Sequence, residues 1–203
     1  MNLIFMRHGE ATDNVKKLIS DKEIYWSILT EKGIKTVKES VELLPNNIDT
    51  MYISPFPRTI QTANYVFEKY PIINTIIDDR IREIYYGKYS HQKNNKELDE
   101  IRRKQISGNY FIRFGEYGEN KYDIEKRLTE FLIDIYSNND KDSTILIVSH
   151  GSIISYMKRI LKVPSKHIEK GNFDIYNSAD FNELFRHDKF LKELKDKNYI
   201  EKK

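Results

Sequence analysis

The sequence predicts an α/β fold built on a mainly parallel sheet, through three features. Short apolar runs suited to buried strands alternate with amphipathic runs at helical spacing, a pattern that calls for right-handed crossover connections. The strand-like runs end in polar turns, "RHG" at 7–9, "SPFPR" at 54–58 and "SHG" at 149–151, and such sheets bind ligands beyond their strand ends. Neither an internal repeat nor a Gly/Ser/Pro linker interrupts the 203 residues, so one domain over 1–203 is expected.

Taken in order, "NLIFM" (2–6) reads as a short buried strand. A helix follows over 29–45: the Thr30 hydroxyl can cap a free amide, Ile34, Val37, Val41 and Leu44 recur at helical spacing, and Pro45 stops the run. "DTMYISP" (49–55) is a second strand, and "RTIQTANYVFEKY" (58–70) a helix ended by Pro71. "IINTIID" (72–78), rich in β-branched residues, is a third strand. From about 84 to 118 the pattern loosens into an excursion that would cap the strand ends, with a short helix at 96–106. Ile124, Leu128, Phe131, Leu132 and Ile135 form one face of a helix over 120–136. "STILIVSHG" (143–151) is the clearest strand, and "SIISYMKRILKV" (152–163) the helix after it. An amphipathic helix with a basic end is expected at about 180–197.

Composition narrows the function. Hydrophobic residues make up 39% and charged residues 32%, as in a soluble globular protein, and 14 tyrosines with 10 phenylalanines argue against disorder. A net charge of +3 is too weak to imply nucleic acid, and no aromatic–basic register supports it. The absence of cysteine removes disulfides, thiolate nucleophiles and Cys-based zinc sites, and suits a reducing cytoplasm. No leader pattern stands at the N-terminus, and no apolar run approaches the ~18 residues of a membrane span. A cytoplasmic protein without nucleic-acid or membrane partners is expected, its oligomeric state left open.

Arg7 and His8 follow the first strand, Arg58 the second and His150 the fourth, so fixed cations and imidazoles could converge on one pocket. Guanidiniums hold a phosphoryl group through charge-assisted bonds, and phosphoryl transfer depends chiefly on stabilising its non-bridging oxygens. An imidazole with one nitrogen tied to a carbonyl keeps a lone pair on the other, which makes His8 the natural nucleophile. Glu83, just past the third strand, is the best-placed carboxyl to protonate a leaving oxygen. Glu10, Glu116 and Glu119 are weaker candidates; Glu10 reads as a support and Glu119 as a partner for helix-start amides.

These segments resemble the histidine phosphatase superfamily, also called the phosphoglycerate mutase-like family. "RHGEATDN" is similar to its R-H-G-E-x-x-x-N opening, "LTEKG" to L-T-x-x-G, and "SPFPRTIQTA" to S-P-x-x-R-x-x-Q-T-A. "GENKYDIEKR" resembles G-E-S-x-x-D-x-x-x-R, and "VSHG" the second-histidine motif, all in family order. The resemblance implies a three-layer sandwich whose mostly parallel central sheet is flanked by helices. It implies transient phosphorylation of His8, phosphoryl binding by Arg7, Arg58, His150, Asn14 and the backbone of Gly151, and Glu83 as proton donor and then base. No cofactor and no metal are implied, and the partner is a small-molecule phosphomonoester. Hydrolysis is the leading activity, with mutase-type transfer and a silent phospho-ligand module as alternatives; mutases carry a longer excursion than this chain. Three segments depart from the pattern: "VKKLISDKEIYWSI" (15–28) lacks Gly-x-x-Asp, "GKYSH" (87–91) replaces G-x-W-E-G, and Asn120 replaces the serine after Gly-Glu. They bear on the pocket mouth and thus on the substrate.

Other polar residues have plainer readings. Asn14 also fits a turn position. His91, His167 and His187 lack ligand spacing and read as surface or tail histidines. Arg102, Arg103 and Arg113 fit a solvated face or a reader of a second acidic group on the substrate. Trp26, Tyr85, Tyr86 and Tyr89 fit the pocket wall or ordinary packing, and the C-terminal helix reads as packed on the body.

Overall fold

Leu3, Ile4, Phe5 and Met6 are fully buried in strand β1, Asn2–Arg7, because both of its faces are covered. In the computed structural model, which describes residues 1–22, 27–71, 73–164, 166–177 and 181–200, β1 lies inside a five-stranded sheet. Its companions are β2 (Thr50–Ile53), β3 (Asn74–Ile77), β4 (Thr144–Ser149) and β5 (Phe173–Tyr176), in the order β3-β2-β4-β1-β5. All pairings are parallel except β1 with β5. Ile72 and Asp180, first residues of two expected segments, and the pocket candidate Trp26 lie outside the described residues.

Helices α1 (Thr12–Lys16), α2 (Glu31–Glu42), α3 (Pro57–Lys69), α4 (Lys96–Ile106), α5 (Lys121–Asn138), α6 (Gly151–Ile160) and α7 (Asn182–Ile200), with single 3-10 turns at Asp79–Ile81 and Gly87–Tyr89, complete the described elements. The alternation of side chains along each strand sorts two cores. Ile4, Met6, Met51, Ile53, Leu146 and Val148 pack with Val37 and Val41 of α2 and Ala63 and Val66 of α3. Leu3, Phe5, Ile145 and Ile147 pack on the opposite face with Leu128 and Phe131 of α5, Ile153 and Met157 of α6, and Leu184 of α7. The result is the three-layer arrangement that the sequence predicts. As expected, Thr30 caps α2 by accepting from the Gly33 amide, and the apolar face of α5 is buried.

Two elements had not been foreseen. Helix α1 is a single turn directly after the "RHG" turn, and β5 forms an antiparallel edge on β1. At four residues, partly exposed and interrupted by Asp174, β5 has too short an apolar pattern to stand out. The segment before it crosses the end of β1, where the Gly171 amide donates to the carbonyls of Arg7 and His8 (3.1 and 3.0 Å).

The glycines of "RHG" and "LTEKG" share one cause. A Cβ on Gly33 would stand 2.2 Å from the carbonyl oxygen of Glu10, and one on Gly9 would stand 2.9 Å from the carbonyl oxygen of Gly33. At Gly33 the nearest atoms are all backbone of Glu10, with no side chain to yield; at Gly9 the Val37 side chain, at 2.8 Å, crowds the position as well. In an open helix Gly→Ala gains about 1 kcal/mol. At Gly33 overpacking wins, and Gly33→Ala is expected to destabilise the fold by about 1–3 kcal/mol. A urea midpoint equal to or above that of the native chain would contradict this packing.

Candidate active site

Strand register brings the two histidines together. Arg7 of β1 pairs with Ser149 of β4, so the next residues, His8 and His150, leave the sheet side by side. Their ring centroids lie 5.2 Å apart. The His8 amide donates to the Ser149 carbonyl at 3.0 Å, and the Ser54 amide, just past β2, donates to the Val148 carbonyl at 3.1 Å. Three strand ends thus converge.

Arg58, in the first turn of α3, is buried between the rings at 2% exposure. Its Nε donates to His8 Nε2 at 3.2 Å and its Nη2 to His150 Nδ1 at 3.0 Å. The same guanidinium donates to the Ser20 hydroxyl and carbonyl at 3.0 and 2.9 Å. It stacks over Phe56, which also meets the His150 ring edge-on. A guanidinium can only donate, so His150 Nδ1 carries a lone pair and its Nε2–H donates to Ser54 Oγ at 2.7 Å. His8 Nδ1 faces the Gly9 carbonyl at 2.7 Å and must donate there, leaving the lone pair on Nε2.

The electrostatics are those of a site short of negative charge. Burial, then the neighbouring Arg58, holds the His8 imidazole well below its ordinary range, against a smaller pull from the Gly9 carbonyl. His150 is lowered by burial, Arg58 and His8. Arg58 is itself lowered by burial, offset by Asp13, Glu83 and Asp21. All four of its hydrogen-bond acceptors are neutral, an arrangement that favours an added anion.

Arg7 supplies the second guanidinium. Its Nη1 donates to the Ile168 carbonyl at 3.0 Å and to His167 Nε2 at 3.2 Å. Among the described residues its buried Nε has no hydrogen-bond partner. It lies over Gly151, where a Cβ would come within 3.0 Å of that Nε, so only glycine leaves this approach open. Gly151 is the first residue of α6, whose N-cap residue His150 makes no side-chain capping bond, so the helix-start amides face the same region.

Glu83 follows β3 and is partly exposed, yet its carboxyl is desolvated enough to be pushed up, against the Ile84 amide, Arg58, Arg127 and Arg7. A brace fixes the backbone on either side of it. Glu119 accepts from Arg127 Nε (2.7 Å) and from the Tyr85 amide (2.8 Å), and pairs with Arg82 at 3.5 Å. Arg127 also donates to the Arg80 carbonyl, and Ser149 Oγ to that of Ile81.

Several expectations need correction. Glu119 serves this brace; the start of α5 is capped instead by Asn120 and Asp123, each accepting from the other's amide. His167 is exposed and His187 lies in the C-terminal helix, as expected, but each has a partner: His167 meets Arg7, and His187 pairs with the buried Glu125 at 3.1 Å. Asn14 Oδ1 accepts from the Ala11 amide at 3.0 Å, within the turn that opens α1. Glu10 does act as a support, accepting from the Thr30 hydroxyl. Arg113 pairs with Asp123, and Arg103 is exposed. Among the described residues no group of three His, Cys, Asp or Glu side chains could hold a metal ion, and no helix is long and apolar enough to cross a membrane.

Ser54, Ser20 and Thr62 had not been singled out. Thr62 accepts from the Gly9 amide and Gln61 from the Leu29 amide, so the "SPFPRTIQTA" segment carries both Arg58 and its supports. Ser54 and Thr62 were visible inside that segment. Ser20 had no signal, since it lies in the segment that departs from the pattern.

A model of the histidine phosphatase superfamily (branch 1) matches residues 3–192. The chain is 32% identical over 128 residues to a 2,3-bisphosphoglycerate-dependent phosphoglycerate mutase of Thermoplasma acidophilum, covering 63% of this chain and 62% of the mutase. In fold it is similar to a mycobacterial glucosyl-3-phosphoglycerate phosphatase (TM-score 0.70, 18% identity, 86% of this chain and 91% of that one). The alpha-ribazole phosphatase of Shigella flexneri has a similar fold (TM-score 0.68, 22% identity, 86% and 89%).

The neutral histidine pair has a thermodynamic consequence. The unfolded chain takes up protons near the ordinary imidazole value of 6.5, while the folded rings stay neutral, so their contribution to stability falls as pH drops through 6.5. Glu83 and Asp21, both raised, act in the opposite sense, their contribution falling as pH rises. The comparison is therefore made against a variant. Between about pH 7.5 and about pH 5.5 the Tm of the native chain is expected to fall more steeply than that of His150→Gln. Parallel curves would contradict the assignment.

Proposed function

Because the chain belongs to the histidine phosphatase superfamily, we propose that it is a metal-independent phosphomonoester hydrolase that works through a phosphohistidine on His8. The observation that carries this reading is the fixed tautomer of His8, whose Nδ1–H is held by the Gly9 carbonyl at 2.7 Å while the Nε2 lone pair faces the cationic cluster. The substrate is a small phosphorylated molecule, and the reaction is assigned to the cytoplasm.

The transferred phosphoryl group sits against Arg7, Arg58, His150 and the amide of Gly151, with Asn14 at the rim, and takes the place of the weak Arg58–imidazole bonds. His150, now beside an anion, gains a proton and becomes a charged donor. His8 Nε2 attacks phosphorus, the bond to the leaving oxygen breaks, and the raised carboxyl of Glu83 delivers its proton to that oxygen. Glu83, now a carboxylate, takes a proton from water as the water attacks phosphorus. The P–N bond breaks, inorganic phosphate leaves, and His8 regains its lone pair with Nδ1–H unchanged. The guanidiniums stabilise the non-bridging oxygens throughout. The excursion over 84–118 limits access to the pocket, within a single domain.

A second reading is favoured by the similarity to the phosphoglycerate mutase: the phosphoryl group on His8 returns to a hydroxyl of a bound molecule instead of water. The short excursion, with the one helix α4, favours entry of water and hence hydrolysis. Product analysis after incubation with phosphoglycerate separates interconversion from release of phosphate.

On 4-nitrophenyl phosphate, His8→Ala is expected to lose more than about 10³-fold in kcat, while EDTA leaves the native rate unchanged. An acid-labile phosphoprotein should be trapped from the native chain and not from the variant. Undiminished turnover by His8→Ala would refute the nucleophile. Glu83→Gln is expected to lower kcat by about 10²–10⁴-fold. The native kcat/KM falls as pH rises through the raised value of Glu83, because the acid must be protonated, and the variant should lack that limb. A profile unchanged by the substitution would remove Glu83 from the role.

A further inference from the structure

We propose that a cavity of about 190 Å³ between α4 and α6 is the subsite for the leaving group, and that it takes a compact, apolar-bodied alcohol bearing a carboxylate. This inference rests on the hydrolase reading for the term "leaving group"; the cavity and its charge do not depend on it. The position is the first ground. The cavity is lined by Ile84 and Ser152, the residues that follow Glu83 and Gly151 in the chain, so it borders the segments that carry the carboxyl and the helix-start amides.

The lining is the second ground. Ile84, Tyr86, Ile106 and Phe114 give apolar walls, with Tyr86 and Phe114 in ring contact at 4.7 Å. Such a surface suits a flat or aliphatic body. The volume of about 190 Å³ admits a single ring or a short chain.

Charge is the third ground. Two arginines border the cavity, each over a tyrosine: Arg102 lies 5.2 Å from the Tyr86 ring and Arg159 4.2 Å from that of Tyr156. Arg102 already pairs with Asp99 at 3.1 Å. Arg159 has no carboxylate at ion-pair distance among the described residues. Glu125, the acidic group that also acts on Tyr156, is committed to Lys121 and His187. This exposed guanidinium, over an aromatic ring at the rim of an apolar cavity and without an ion-pair partner among the described residues, is suited to a planar carboxylate. A lone arginine in the last turn of α6 could instead serve only the helix dipole, and the test separates the two.

The experiment compares phenyl phosphate with 4-carboxyphenyl phosphate by kcat/KM, and the matching non-hydrolysable phosphonates by calorimetric titration. The native chain is expected to prefer the carboxylated member of each pair by about tenfold. Arg159→Met, with an unchanged melting transition, should reduce that preference to within about twofold, and Arg159→Lys should retain part of it. A native preference below about twofold, or one that survives Arg159→Met, overturns the subsite. Discrimination between the phosphonates with no turnover of either ester overturns the hydrolase reading and leaves the subsite supported.

Discussion

Everything at the candidate site depends on one buried guanidinium. Arg58 sits between two imidazoles and donates to a lone pair on each. Removing such a cation from water is costly, and among the described residues its hydrogen bonds go to neutral acceptors, with Asp13, Glu83 and Asp21 acting on it from farther off. Burial and this cation together depress the imidazoles, and its N–H groups, with the Gly9 carbonyl at His8, leave one tautomer on each ring. The sheet serves this contact: the parallel register of β1 and β4 sets the rings at one depth, and α3 starts where its first turn can reach both. A shift of one residue in either strand would turn a ring to the other face of the sheet.

Around that centre the polar residues divide by what they touch. Arg7, His8, Arg58 and His150 face the same small volume. Glu119 and Arg127 touch none of it; they grip the backbone at Arg80 and Tyr85 and the guanidinium of Arg82, so that Glu83 leaves a chain fixed on both sides. Gly9 and Gly33 exist to let two backbone segments meet, and Gly151 to let Arg7 approach a helix start. A glycine and a buried ion pair are here parts of the same device as the His8–Arg58–His150 cluster, at one remove.

The α/β class, the order of the main strands and the four central side chains were legible because each rests on a local signal: a continuous apolar strand, a capped helix, a polar turn. Thr30 shows this, since its capping role needs only the residues next to it. What stayed hidden depends on contacts between distant segments. Ser20 meets Arg58 across 38 positions, and His167 meets Arg7 across 160, with no periodicity to announce either. Glu119 was misread because a carboxylate just before a helix ordinarily serves that helix. Asn120 and Asp123 had already taken that task, which freed Glu119 for Arg127.

The brace also closes a neck. Tyr85 and Glu119 exchange two bonds, the Tyr85 amide with the Glu119 carboxylate and the Glu119 amide with the Tyr85 carbonyl, each at 2.8 Å. The segment between them, including α4 and the wall that carries Arg102, is also tied to the body: the Tyr86 amide and Ser90 hydroxyl donate to Asp21, Ile19 exchanges backbone bonds with His91 and Gln92, and Leu98 and Phe114 are buried in the core. Ser20, between Ile19 and Asp21, accepts from Arg58. The wall of the cavity and the buried guanidinium are thus joined through three consecutive residues, so a change in the length or sequence of the segment over 86–118 is felt at Arg58.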